Sequence, residues 1–248
     1  MASTSETGHA KNVANFDELI SSALGYGKAY NPSKASIKVE ALQSVSTAAK
    51  NAVTGVNTVF PAYSNAVAAR EAAFAPLSKL ITRVINALKA TDTTDYVDQS
   101  AKTFARKIQG IRATSKKTEA EKKAAAEAGK EIIEISSSQM SYDSRLDNFD
   151  KLIKLLTSVI LYAPNEEDLK VSALIAIYND LKVKNSAVVT AAIPLSNARI
   201  ARNEILYKEL TGLVDVASDV KTYIKSVYGA TSPQYKQVSS LKFTKYTS

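Results

Sequence analysis

Apolar residues recur at helical spacing near the start of the chain and again past its middle. Phe16, Leu19, Ile20 and Leu24 lie three or four residues apart, with polar residues at most positions between them. A second set repeats the spacing at Phe149, Leu152, Ile153 and Leu156. Such spacing places apolar side chains on one face of an amphipathic helix. The pattern predicts helices at about 12–27 and 142–162, each followed by a proline, Pro32 or Pro164.

A seven-residue pattern of small and apolar side chains follows each of these helices. It occupies Leu42, Val45, Ala49, Ala52, Val56, Val59, Tyr63, Ala66, Arg70, Ala73, Leu77, Leu80 and Val84, and then Leu174, Ile177, Leu181, Lys184, Val188, Ala191, Leu195, Ala198, Arg202 and Ile205. This coiled-coil-like register predicts one helix of about 50 residues in each half. Its phase continues through Pro61 and Pro194, which favours a kinked continuous helix. A hairpin at each proline is the alternative.

Shorter segments close each half. Thr93, Thr94 and Asp95 predict the start of a helix at about 93–110. Ser232 and Pro233 predict a short helix, which a β-prone tail at 241–246 follows. The chain contains only 8 glycines and 6 prolines, and this scarcity of helix breakers also favours long helices.

Three segments of the first half return in the second half in the same order. The matched pairs are Asn15–Ile20 with Asn148–Ile153, Tyr30–Leu42 with Tyr162–Leu174, and Ser64–Arg70 with Ser196–Arg202. The second pair is identical at six of thirteen positions and the third at five of seven. Agreement of three segments in one order indicates an internal duplication.

The duplication predicts four parts of the chain. These are a polar N-terminal tail at 1–11, a helical repeat at 12–111, a charged and Ser-rich linker at 112–141, and a second helical repeat at 142–248 with a basic C-terminal tail. We predict an all-α fold, an elongated, pseudo-twofold helical bundle in which the two repeats pack as one domain.

Three stretches of the chain resemble a known group of proteins. Tyr162–Leu174, Pro194–Asn203 and Tyr228–Val238 are similar to an uncharacterised bacterial family of duplicated helical-bundle proteins. The resemblance covers most of the chain. It implies a helical fold and, since that family has no assigned activity, no site residue.

Composition excludes several kinds of chemistry. The chain has no cysteine and one histidine, His9, which we expect to be a solvated residue of the polar tail. Thiolate sites, multi-histidine metal sites and catalysis by a structured histidine are therefore excluded. The acidic pairs Glu166–Glu167 and Asp215–Asp219 are predicted on helix surfaces. We predict that the protein is not an enzyme, with no catalytic, cofactor-binding or metal-binding residue, no cofactor and no small-molecule substrate.

A polar triplet repeats within the apolar register: Ser64, Asn65 and Arg70 recur as Ser196, Asn197 and Arg202. Both arginines fall at apolar positions. We therefore predict a buried polar layer that pairs the two halves, with Glu71 or Glu204 as a partner. An anion pocket is the alternative.

Charge is unevenly distributed in a chain of net charge +8. Stretches 99–118 and 220–248 contain lysines and arginines but no acid, which indicates solvated basic faces or, alternatively, a polyanion-binding surface. Stretches 51–69 and 185–198 contain no charged residue. We expect these two to be enclosed on most sides within a bundle, with a surface for self-association or shallow membrane contact as the alternative.

These features favour a non-enzymatic structural or assembly protein that self-associates through long helical faces into a homo-oligomer or filament. One alternative is a module that binds nucleic acid or acidic polymer through 99–118 and 220–248, and another is a membrane-active helical protein. No signal peptide or apolar stretch of about 18 residues is visible. We therefore expect a cytoplasmic protein, with signal-less export as an open alternative.

Overall fold

A computed structural model describes residues 7–111 and 141–245, together with Lys123 and Glu127. These residues form helices joined by turns and loops and contain no strand, which confirms the all-α prediction. The linker predicted at 112–141 lies almost entirely outside the described residues. The helices are α1 (Thr7–Gly25), α2 (Val39–Phe74), α3 (Leu77–Lys89), α4 (Asp95–Gln109), α5 (Tyr142–Ser158), α6 (Val171–Tyr207), α7 (Leu213–Tyr228) and α8 (Pro233–Ser239).

The first helix of each repeat buries the predicted apolar face. Phe16 in α1 and Phe149 in α5 are completely buried. Leu24, predicted on the same face, is instead 51% exposed, and its neighbour Ala23 is buried. Because α1 already begins at Thr7, residues 7–11 belong to this helix and not to a polar tail.

The loop after each of these helices keeps one hydrogen bond in both repeats. The Tyr30 hydroxyl donates to the Ile37 carbonyl at 2.6 Å. The Tyr162 hydroxyl donates to the Leu169 carbonyl at 2.9 Å. Each loop then forms a short 3-10 turn, Ala35–Ile37 or Glu167–Leu169, before the long helix begins. The duplication therefore extends to individual side-chain contacts.

Helices α2 and α6 run for 36 and 37 residues, with Pro61 and Pro194 inside them. The continuous helix is thus confirmed, and the hairpin at each proline is wrong. The predicted length of about 50 residues is also wrong, because α2 stops two residues before Pro76 and α6 stops at Tyr207. Pro76 has no N–H to continue the helical ladder.

Buried positions on the long helices follow the predicted seven-residue register. In α2 they include Leu42, Ala49 and Val56. In α6 they include Leu174, Leu181, Val188, Leu195 and Arg202, each seven residues after the last. Residues seven apart lie on the same side of an α-helix, so each long helix buries one continuous side.

The chain forms two compact units, and each unit contains parts of both repeats. Unit 1 consists of Met1–Tyr63 and Ala191–Ser248, and unit 2 of Ser64–Thr190. Unit 1 therefore combines α1 and the first part of α2 with the end of α6, α7 and α8. Unit 2 combines the end of α2, α3 and α4 with α5 and the first part of α6. This division falls within the two long helices, whereas the sequence repeats divide at 112–141.

Each unit has its own apolar core. The core of unit 1 is built from α1, α2, α6 and α7, with Val238 of α8 and Leu241. The core of unit 2 is built from α3, α4 and α5 with Phe74 of α2 and Leu174 and Leu181 of α6. Each core thus includes side chains that are more than 100 residues apart in sequence.

Candidate functional site

The repeated arginine of the first half joins a polar cluster in unit 2. Arg70 Nη1 donates to Asn185 Oδ1 at 3.2 Å, and Asn185 Nδ2 donates to Asp143 Oδ1 at 2.7 Å. The guanidinium carbon of Arg70 lies 3.9 Å from the centre of the Tyr142 ring, a cation–π arrangement. Its Nε is buried without a hydrogen-bond partner among the described residues. The cluster links a residue of repeat 1 to residues of repeat 2.

The second copy, Arg202, lies in unit 1 and is only 4% exposed. Its Nε and Nη2 both donate to Asn203 Oδ1, at 3.1 and 2.8 Å. Arg70 therefore bonds to an amide oxygen of the other repeat, as a layer that pairs the two halves predicts, whereas Arg202 bonds to the next residue of its own helix. The hydroxyl and amide residues of the triplet, Ser64, Asn65, Ser196 and Asn197, are exposed.

His9 is not the solvated tail residue that its neighbours in sequence suggest. It is 5% exposed, and its Nδ1 lies 2.6 Å from the Tyr207 hydroxyl of α6. Asn12, one turn further along α1, is 1% exposed and donates to the same hydroxyl at 3.3 Å. Because α1 starts before His9, helical geometry directs both side chains into unit 1.

Asn12 also holds the C-terminal segment of unit 1. Its Nδ2 donates to the Thr244 carbonyl at 2.8 Å, and the Thr244 N–H donates to its Oδ1 at 3.0 Å. Asn15 donates to the Lys242 carbonyl at 2.7 Å. Residues 241–245 form no strand and pair with side chains of α1 instead. Sequence reasoning missed this contact, for which the signal is a pair of asparagines three residues apart on α1.

Two lysines of the basic stretch 220–248, Lys221 and Lys245, contact other residues of unit 1. Lys221 donates to the Leu241 carbonyl and lies 5.0 Å from the Phe243 ring. Burial lowers the pKa of Lys221. Lys245 lies 3.2 Å from both carboxylate oxygens of Asp215. The other basic stretch belongs to unit 2 in its described part, 99–111, so neither unit contains both stretches.

The charge-free stretches are not enclosed on most sides, contrary to expectation. Val188 and Leu195 are buried, at 7% and 3% exposure, but Val189 and Ile193 are 60% and 58% exposed. In the stretch at 51–69, Phe60 is 43% exposed. In α6, Val189 and Ile193 lie one turn apart and present apolar groups to solvent, and in α2 the exposed Phe60 follows the buried Val56 by one turn.

The acids Asp215 and Asp219 each have a partner within unit 1. Asp219 pairs with Lys34, while Asp215 accepts from the Leu210 N–H at 2.9 Å. That backbone hydrogen bond and the Lys245 ammonium lower the pKa of the Asp215 carboxyl. Among residues 7–111 and 141–245, no group of three or more acidic or histidine side chains could hold a metal ion.

No described helix combines the length and the apolar character needed to cross a membrane. Comparison with protein-family models, with curated proteins and with solved structures finds no match to this chain.

Proposed function

We propose that this protein is a non-enzymatic assembly protein, which associates with further copies of itself through the exposed, uncharged sides of its long helices. The exposure of the charge-free stretch at 185–198 carries this proposal. In unit 1, Ile193 of this stretch and Ile200 just beyond it are 58% and 64% exposed. They are seven residues apart and therefore lie on the same side of α6.

Electrostatics favours this stretch as the place where two copies meet. Each copy carries a net charge of +8, so two copies repel each other over most approaches. Repulsion is smallest where neither copy presents charge. Removing apolar side chains from water there contributes about 25 cal/mol per Å² of buried area. Phe60 adds an exposed aromatic ring to the uncharged part of α2 in the same unit.

Light scattering coupled to gel filtration tests the proposal over a hundredfold concentration range in the micromolar region. Wild type is expected to form oligomers, and a variant with Ile193→Lys and Ile200→Lys is expected to stay monomeric. Ile160→Lys is the matched control, because Ile160 is 96% exposed and lies outside both charge-free stretches. A wild type that stays monomeric throughout would defeat self-association. Flotation of monomeric wild type with vesicles would instead identify the exposed side as a lipid-contact surface.

Polyanion binding is the second candidate, and the basic stretches support it only in part. Lys225, Lys236 and Lys242 are exposed, but Lys221 and Lys245 have partners inside unit 1. Titration with DNA or heparin at several salt concentrations tests this candidate. Affinity that falls steeply with salt would support it, and affinity that is independent of salt would exclude it.

A further inference from the structure

In each repeat, the loop that contains the 3-10 turn before the long helix forms an ion pair with a helix of the other repeat. In unit 1, Lys34 pairs with Asp219 of α7. In unit 2, Arg83 of α3 forms a two-pronged pair with Asp168, with Nη2 donating to Oδ1 at 3.1 Å. The Arg83 guanidinium lowers the pKa of the Asp168 carboxyl. Turn Ala35–Ile37 contacts α7, and turn Glu167–Leu169 contacts α3.

The helix members of the two pairs, Arg83 and Asp219, occupy matching positions with opposite polarity, whereas the loop members, Lys34 and Asp168, lie two positions apart in the repeat alignment. The repeat alignment that matches Tyr30 with Tyr162 places Lys34 opposite Glu166. Helices α3 and α7 align through their buried residues, Leu77, Ile81, Val84 and Leu88 with Leu213, Ala217, Val220 and Ile224. This alignment places Arg83 at the position of Asp219. Repeat 1 therefore has a basic loop and a basic helix, whereas repeat 2 has an acidic loop and an acid at the matching helix position.

We propose that this reversal of charge directs each repeat to pair with the other repeat and not with itself. If a loop packed on the helix of its own repeat, Lys34 would face Arg83. The acids Glu166 and Asp168 would then face Asp219. The same rule holds between copies: repeat 1 of one copy would accept repeat 2 of another and repel repeat 1.

The two ion pairs act through the difference in free energy between a loop packed on the other repeat and a loop packed on its own repeat. Lys34 and Asp219 have side chains 56% and 39% exposed, and Arg83 and Asp168 52% and 53%. Exposed pairs of this kind stabilise only weakly. The preference for the other repeat is larger than the energy of the attraction alone, because a loop packed on its own repeat would lose the attraction and also face a like charge. Helix α3 strengthens the effect because its charged residues are Lys79, Arg83 and Lys89, with no acid.

Zero-length crosslinking of the full chain tests the pairing. A carbodiimide joins an ammonium to a carboxylate that it contacts, and mass spectrometry of the monomer fraction identifies the joined peptides. We expect a bond between Lys34 and Asp219. With Arg83→Lys, we also expect a bond between position 83 and Asp168. Absence of the Lys34–Asp219 bond from the monomer fraction would overturn the inference.

Charge reversal in the full chain tests whether these charges direct pairing. A loop-exchanged variant, with Lys34→Glu, Glu166→Lys and Asp168→Lys, places like charges at both contacts. We expect its melting temperature to fall by about 2–4 °C, because two weak attractions are replaced by two weak repulsions. Adding Asp219→Lys and Arg83→Glu should restore it. Lys208→Glu is the control, because Lys208, the residue after α6, pairs with Glu204 of the same repeat. If Asp219→Lys and Arg83→Glu fail to restore the melting temperature, these charges do not direct the pairing of the repeats.

Discussion

At the scale of single residues, the repeats have kept some contacts and changed others. Tyr30 and Tyr162 make the same hydrogen bond, but Tyr142 stacks on Arg70 whereas its counterpart His9 bonds to Tyr207. The apolar spacing of α1 and α5 predicted their buried faces except at Leu24, which is exposed. It could not predict the partners of His9 or Arg70, because those partners lie 198 and 115 residues away in sequence.

Tyr162, which matches Tyr30 of the first repeat, is expected to make the stability of the protein depend on pH in the alkaline range. Burial raises the pKa of Tyr162 from 10.0 to about 12. The unfolded chain therefore ionises first, so this stabilisation is complete below about pH 10 and is lost as the pH rises towards 12. Tyr162→Phe is expected to lower the free energy of unfolding by about 1–2 kcal/mol at pH 7, since the Leu169 carbonyl loses its donor. The same substitution should also make the free energy of unfolding fall less steeply above about pH 10.

Urea unfolding at a series of pH values measures both effects. Tyr96→Phe is the control, because Tyr96 is 82% exposed and should behave as wild type. An alkaline decline that is the same in the Tyr162→Phe variant and in wild type would contradict the assignment.

At the scale of helices, the long elements are continuous despite their internal prolines. Pro61 and Pro194 are exposed, so each ring lies on the solvent side of its helix. The seven-residue phase predicted this continuity. It did not predict where the helices stop, because the apolar pattern continues past Pro76 into α3 although the backbone ladder is interrupted there.

Replacing a proline inside a continuous helix should stabilise it. Pro194→Ala restores a backbone N–H to α6 and removes a steric conflict, and the gain exceeds the added entropy of the unfolded chain. We expect the free energy of unfolding to rise by about 1–2 kcal/mol in chemical denaturation, and similarly for Pro61→Ala. Pro76→Ala, between α2 and α3, is the comparison and should change little. A loss of stability in Pro194→Ala would argue for a turn at this position.

At the scale of the whole molecule, the compact units do not coincide with the sequence repeats. Unit 1 requires Met1–Tyr63 and Ala191–Ser248 together, and unit 2 requires the end of α2 together with α5 and α6. The core of each unit is therefore built from residues of both repeats.

Cutting the chain between the repeats tests this arrangement. A protease site inserted within 112–140 divides the protein into two pieces, and each unit then contains residues of both pieces. We expect the cut protein to elute as one species in gel filtration and to separate only in denaturant. Two species that separate in native buffer would show that each repeat folds as its own unit.

The sequence by itself determined the helices, the duplication and the buried register of α2 and α6, because these depend on spacing between near neighbours and on comparison of the chain with itself. It also determined that the charge-free stretches exist. Only the tertiary structure decided that their residues Val189 and Ile193 face solvent, and that the two repeats exchange parts to form two units. Exposure and pairing depend on which distant segments meet, and the loop charges at Lys34 and Asp168 become informative only when their partners are known.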